Sequence, residues 1–420
     1  MLLGVALLVL AALPAMGAPP PATERTVVVL LFDGWAPALL DTAAAPTLAR
    51  LRDEGAWSHH LLPAFPSVSL VNQVTVSTGC WPEKHGIISN EFLDPERGRY
   101  DHSRDADWLT GCEHLHQVAE RQGVRTAVLG WVGGYSTRRG DLATYVSPER
   151  AWPDFPDDEH RAQQVIELLQ RPDDQRPRLI LAYFRGPDST EHLTGMDSEA
   201  TRQAVADSDA AVGAILNAIQ RLPFRDQVTL IVTTDHGMLP VWMNVNVDKI
   251  LRNNDIQATA VSSGTTSFVY LSDASKAGDA ARKLAAYRLY FDVFSRYDQP
   301  ADWHLGRGPR VPDLVLSAQP PNVIEDVRAW PWWSRWLARW GPEVLWARPA
   351  IKAAHGYRPT TPGMSGIVYA WGAGIAPGRE VERLEAIDIH PTVCRLLSIE
   401  PGRPVNGAVA TQLLDEGSPQ

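Results

Sequence analysis

Thr26-Val27-Val28-Val29-Leu30-Leu31-Phe32 is an unbroken run of apolar and β-branched residues, and Asp33-Gly34 follows it directly. A run with no polar alternation suits a strand buried on both faces, as in the middle of a parallel sheet. An acid placed just past such a strand lies at its C-terminal end, where open α/β sheets bind ligands. The same grammar recurs along the chain. Apolar strands are predicted at Arg125 to Trp131, Leu179 to Phe184, Val228 to Thr233 and Ile367 to Trp371. Helical periodicity is predicted at Pro46 to Glu54, Glu113 to Gln122, His160 to Gln170, Ser198 to Arg221, Ala274 to Ser295 and Asp388 to Leu397. Alternation of this kind predicts an α/β fold with a mostly parallel central sheet sandwiched by helices.

Composition narrows the class. The 420 residues are 45% hydrophobic and 21% charged, which excludes disordered and fibrous chains. The formal charge of −10 opposes a nucleic-acid polymer as partner. An anionic small molecule would then need a locally positive site, such as bound metal ions provide. Three cysteines are too few for a disulfide scaffold. A Cys80–Cys112 bridge and buried free thiols are both compatible with them.

Residues 1–17 read as a secretory signal peptide, with an apolar run from Leu2 to Leu13 and Ala15-Met16-Gly17 at the cleavage position. The apolar run is shorter than the ~20 residues of a spanning helix, which favours a secreted or periplasmic product over an anchored one. Residues 18–25 follow as a leader, 26–400 as the main domain and 401–420 as a tail. Within the domain, about 262–348 departs from the alternating rhythm and reads as a smaller inserted cap. It contains Trp330, Trp332, Trp333, Trp336, Trp340 and Trp346 with Arg335, Arg339 and Arg348. The Trp-rich 329–346 segment suits either packing of indoles on the body or contact with a membrane or lipid.

Several acids and histidines follow the strands. Asp33 follows the first, Asp188 lies four residues beyond Leu179 to Phe184, and Asp235-His236 follow Val228-Thr-Leu-Ile-Val-Thr-Thr234. Asp188 and His192 share one face if a helix starts there. His355 sits in Ala-His-Gly-Tyr. Three carboxylates and three imidazoles suit zinc, and six such ligands with a hydroxyl divide between two ions. Ser69 precedes a helical run to Thr78 and reads equally as an N-cap or as a nucleophile facing an anion at a helix N-terminus.

The motifs FDGW, SVSLVNQVTVSTGCWPEKHGIISN (67–90), GPDSTEH, TTDHGM, HGY and IDIHPTVCRLL occur in this order. Together they resemble the type I phosphodiesterase/nucleotide pyrophosphatase branch of the alkaline phosphatase superfamily. The resemblance implies an alkaline phosphatase-like fold. It also implies one zinc on Asp188, His192 and His355 and another on Asp33, Asp235, His236 and the nucleophile. By the same likeness Asn90 would hydrogen-bond a phosphoryl oxygen, and the distances to Asn72 and Asn90 select Ser69 over Ser67. His85 and His390 also match motif positions and read as structural. The implied activity is hydrolysis of a phosphodiester or pyrophosphate through a phosphoryl-serine intermediate. The alternatives are a phosphonoacetate hydrolase-like C–P hydrolase, a phosphomonoesterase, or a binding protein on a decayed fold. Where the family carries an aromatic after its nucleophile, this chain has Leu70, which weakens the case for a nucleobase. No Cys/Ser-x-Pro-x-Arg or Gly-x-Ser-x-Gly element argues for a sulfatase or a metal-free serine hydrolase.

Overall fold

The computed structural model describes residues 25–41, 43–135, 142–149, 154–324, 340–346 and 350–415. The signal peptide read at 1–17, most of the leader, and Trp330, Trp332, Trp333, Trp336, Arg335, Arg339 and Arg348 lie outside them.

Thr26–Phe32 is buried along its whole length at the heart of a nine-stranded sheet. It pairs in parallel with Leu179–Phe184 on one side and Val228–Thr234 on the other. Beyond Leu179–Phe184 come Thr126–Leu129 and Tyr145–Val146, both parallel. On the other side Gly366–Gly372 runs antiparallel to both its neighbours, Val228–Thr234 and Ala56–Leu62. The sheet is thus mixed, with one reversed strand among parallel ones.

The central strand feeds two cores, as its lack of polar alternation requires. Val27, Val29 and Leu31 join one apolar cluster, and Val28, Leu30 and Phe32 join the other. Each such side chain contributes about 1.5–3 kcal/mol on full burial. The helices Pro46–Glu54, Asp158–Leu169 and Glu199–Gln220 cover one face, supplying Leu48, Val165 and Ile215 among others. Ser69–Thr78, Leu115–Arg121 and Ile389–Leu397 cover the other through Val74, Val118 and Val393.

A second, antiparallel sheet has the order Ala258–Ser263, Thr266–Leu271, Leu314–Ala318, Phe291–Ser295. It packs with Val247–Asn253 and Ala277–Leu284 around a third apolar cluster. Here the structure corrects the sequence. The single helix expected from Ala274 to Ser295 is a helix over Ala277–Leu284, a short 3-10 turn at Ala285–Tyr287, and then the strand Phe291–Ser295. Pairing with Leu314–Ala318, distant in sequence, claims the last five residues and overrides their local periodicity.

Cys80 and Cys112 form a disulfide, and Cys394 is a buried free thiol. Trp340 and Trp346 are largely exposed. Among the described residues no helix is long and apolar enough to cross a membrane.

Candidate active site

Parallel registration places three chain segments at one edge of the sheet. Phe32 is aligned with both Phe184 and Thr234, so Asp33, Asp235 and the loop leading to Asp188 emerge together. Two glycines allow the loops to touch. Gly34 has φ +70°, and a Cβ there would stand 2.8 Å from the Cβ of Asp188. Gly186 has φ +56°, and a Cβ there would meet the Asp33 carbonyl at 2.4 Å. Only glycine combines that backbone with that closeness. His355 arrives from a distance. The short strand Ala353–Ala354 pairs with Leu239–Pro240, just after His236, and delivers the loop that carries it.

Six expected ligands therefore converge as two groups, Asp188–His192–His355 and Asp33–Asp235–His236, each with ligand atoms within 4.8 Å of one another. The rings of His236 and His355 stack at 3.6 Å between centroids. All three imidazoles are held alike. Each Nδ1 donates to a backbone carbonyl: His192 to Ala353 at 2.7 Å, His236 to Gly237 at 3.0 Å and His355 to Ser67 at 3.0 Å. That contact fixes the ring and aims Nε2 inward. His192 Nε2 lies 3.3 Å and His355 Nε2 3.6 Å from Asp188 Oδ1, and His236 Nε2 lies 3.2 Å from Asp33 Oδ1.

This donor set fits a cation. With protons on Nδ1, the inward nitrogens of His192 and His355 meet Asp188 lone pair to lone pair. Asp188 Oδ1 and Asp235 Oδ2 are buried and have no hydrogen-bond partner. Asp235 Oδ1, by contrast, accepts from Gly34 N at 3.2 Å and His236 N at 3.0 Å, which turns Oδ2 toward the centre. Buried acceptors crowded together without donors are costly unless positive charge joins them. The protein's own charges show the conflict. Burial and the neighbouring Asp33 push Asp235 well above the carboxylate range. Burial opposes a charged His236, yet Asp235 and Asp33 outweigh it and hold the ring's pKa up at about 10. Burial and the nearby His236 push His355 well down.

Ser69 is the first residue of the helix Ser69–Thr78, whose N-cap is Val68, so it is not itself the cap. Its Oγ donates to Asp33 Oδ1 at 3.2 Å and lies 3.2 Å from His236 Nε2. Ser67 points elsewhere and donates to the Tyr357 carbonyl at 2.9 Å. Asn90 Oδ1 accepts from Leu70 N at 3.0 Å, which places the amide beside the nucleophile's turn. Asn72 instead ties the preceding loop, accepting from Ala64 N at 2.6 Å and donating to Val68 O at 3.1 Å.

The sequence reading missed two groups. Tyr183, inside a buried strand, donates its hydroxyl to Asp33 Oδ2. Glu191, between Asp188 and His192, is fully buried. A hydroxyl in an otherwise apolar strand and a glutamate on a ligand helix were the available signals.

An α/β sheet with paired acid–imidazole groups beside a hydroxyl at a helix N-terminus suits a hydrolase of phosphorus esters. Residues 27–358 match the family model of type I phosphodiesterase / nucleotide pyrophosphatase, and the chain belongs to that family. It is 26% identical over 403 residues to an uncharacterized pyrophosphatase/phosphodiesterase of Schizosaccharomyces pombe, covering 91% of this chain and 79% of that one. It is 25% identical to ectonucleotide pyrophosphatase/phosphodiesterase family member 7 of Rattus norvegicus, covering 100% of this chain and 94% of that one. In fold it is similar to murine ectonucleotide pyrophosphatase/phosphodiesterase 5, solved as an inactive variant with AMP. That match has a TM-score of 0.81 at 22% identity, over 93% of this chain and 100% of the other.

Proposed function

We propose that this protein is an exported two-zinc phosphodiesterase that cleaves diester or pyrophosphate bonds of small molecules through a covalent intermediate on Ser69. The observation that carries this reading is the position of Ser69 Oγ, 3.2 Å from both Asp33 Oδ1 and His236 Nε2 at a helix N-terminus. Asp33, Asp235 and His236 would hold one ion, and Asp188, His192 and His355 the other. When bound, such a pair supplies positive charge to the attacking and leaving oxygens of an in-line displacement.

The chain's own groups do the rest. Asp33 and His236 orient Ser69 Oγ, which gives up its proton to solvent and forms a bond to phosphorus as the ester P–O bond breaks. The departing alkoxide takes a proton from solvent. Water then attacks the phosphoserine and releases a proton to solvent, and the departing Ser69 oxygen takes one back. Leu70 N holds Asn90 by its carbonyl oxygen, so the NH2 half of that amide serves a phosphoryl oxygen. Positioning and charge stabilisation account for the acceleration without a separate general base.

Leu70 is buried and offers no stacking face, so the substrate class spans nucleotide and lipid-headgroup esters. The Cys80–Cys112 bridge agrees with an oxidising compartment. The test is a hydrolysis panel on the zinc-loaded full chain. It compares p-nitrophenyl phosphate, bis-p-nitrophenyl phosphate, thymidine monophosphate p-nitrophenyl ester, glycerophosphocholine and phosphonoacetate. Faster turnover of a diester than of the monoester is expected. Preference for p-nitrophenyl phosphate or phosphonoacetate would overturn the assignment.

A further inference from the structure

Arg161 lies on the helix Asp158–Leu169 and is 1% exposed. Its Nη1 donates to Gln164 Oε1 at 2.6 Å and lies 3.6 Å from Glu149 Oε2. Its other two nitrogens, Nε and Nη2, have no hydrogen-bond partner among the described residues. Those two atoms form one edge of the planar guanidinium. It is the edge that offers two parallel N–H groups to a single anion.

The surroundings are positive. Gly130 follows the strand Thr126–Leu129 with φ +64°, and a Cβ there would stand 2.8 Å from Arg161 Nη2. The carbonyl of the same glycine accepts from Nη1 of Arg104, a second buried arginine, which also donates to Gln73 Oε1 at 3.1 Å. Cζ of Arg104 is 4.4 Å, and Cζ of Arg161 6.0 Å, from the centre of the Phe155 ring. Two guanidiniums therefore share Gly130 and Phe155. Among the described residues, Glu149 is the one carboxylate within ion-pair distance of either. Arginine stays protonated at any working pH, so it cannot escape the cost of burial by giving up its charge. Buried charge without a counter-charge, and buried donors without acceptors, are both costly.

We propose that the Nε–Nη2 edge of Arg161, with Arg104 alongside, binds a small monovalent anion of the halide class. Two guanidiniums against one carboxylate leave a single positive charge, which one such anion balances. Arg161, Arg104 and Phe155 are all buried, which keeps substrate-sized molecules out. Arg104 also stands over the ring of Tyr183, 4.8 Å from its centre, and Tyr183 donates to Asp33. The anion would thus brace the wall behind the acid–imidazole centre without meeting the substrate.

The test uses bromide and chloride on the full chain. Crystals grown in sodium bromide should show an anomalous peak within hydrogen-bond reach of Arg161 Nε and Nη2. No peak there would overturn the proposal. In solution, chloride compared with gluconate at matched ionic strength should raise Tm saturably, by about 2 °C or more. Equal rises in both salts would be a general salt effect and would also overturn it. A peak in the crystal without a chloride-specific rise would mean an adventitious ion only, with the same consequence. Arg161→Lys keeps the positive charge and loses the fork, so it should lose both the peak and the chloride-specific rise. Retention of both would place the anion on another group and overturn the assignment. If Arg161→Lys does not fold, the two wild-type measurements still decide.

Discussion

Two groups of histidines meet the helix Ser69–Thr78, one at its N-terminal end and one along its second half, and only the first is equipped for chemistry. His192, His236 and His355 stand at the edge of the sheet, each with Nδ1 on a carbonyl and Nε2 turned toward aspartates. His85, His114 and His390 pack against the body of the same helix. His85 is bonded to Thr75 Oγ1 and accepts from Ile87 N. His390 donates to Ser77 O and accepts from Gly402 N, and His114 meets Ser77 Oγ at 2.7 Å. All six rings are largely buried or partly so, and all are hydrogen-bonded. What separates the groups is company. Carboxylates surround the first, while neutral partners saturate His85 and His390. Burial alone therefore says little about function, and the second ring nitrogen says most.

The largest expected effect lies on the helix they share. Ser69→Ala should reduce turnover by about 1,000-fold or more, while zinc content measured by mass spectrometry stays at the wild-type value. Full turnover in that variant would remove Ser69 from the mechanism. Next in size is Asp188→Asn, which should lower bound zinc by one equivalent. The lost charge stabilisation of several kcal/mol should cut kcat/KM about 100-fold or more. His85→Gln is the matched control from the second group. It should keep the full zinc complement and lose only stability, by roughly 1–3 kcal/mol. Loss of zinc in His85→Gln would erase the distinction between the two groups.

A pH series sharpens it further. Burial pushes His85 down from 6.5 to about 3 and His390 to about 4. These rings fold as neutral groups and charge only on unfolding. Their contribution to stability is complete above the unfolded value of 6.5 and is lost as pH falls toward 4 and then 3. Each adds a slope approaching about 1.4 kcal/mol per pH unit within that window. Denaturant unfolding of chelator-treated protein at pH 7, 5.5 and 4.5 should show this fall. In His85→Gln the dependence should be shallower by one group. An unchanged slope would mean that His85 does not resist protonation in the fold.

The site was legible where chemistry followed directly on a strand. Asp33 and Asp235-His236 sit just past buried runs, and the run itself announces which end of the sheet they occupy. His355 was singled out in its Ala-His-Gly-Tyr loop, but its grouping with Asp188 and His192 came only through the motif resemblance, because a two-residue strand pairing brings it in from over a hundred residues away. The stretch from Ala274 to Ser295 misled because its strand half is set by a partner at Leu314–Ala318 that local periodicity does not see. The reversed strand Gly366–Gly372 was recognisable as a strand, but its direction depends on packing between Ala56–Leu62 and Val228–Thr234. Glu191 was hidden for the opposite reason. Its neighbours Asp188 and His192 were so readable as an i, i+4 pair that the acid between them was passed over.

The smallest expected effect concerns how the aspartates are held. The site histidines are oriented by backbone carbonyls that no substitution of a neighbouring side chain removes. Asp33 is different, because one of its oxygens takes a hydrogen bond from the Tyr183 hydroxyl while the other faces Ser69 and His236. Burial and the charge of Asp33 push the Tyr183 hydroxyl well above its ordinary value, so it stays a donor across the working range. Tyr183→Phe keeps the ring in its strand and removes only that donor. A hydrogen bond to a charged group contributes about 1.5–3 kcal/mol at most, and Asp33 retains its place through the backbone around Gly34. Zinc affinity at the Asp33–Asp235–His236 group should therefore fall by about tenfold, and kcat/KM by a similar factor. The Asp188 group should be untouched. A loss confined to the Asp188 group would show that the two sets of ligands are not held independently.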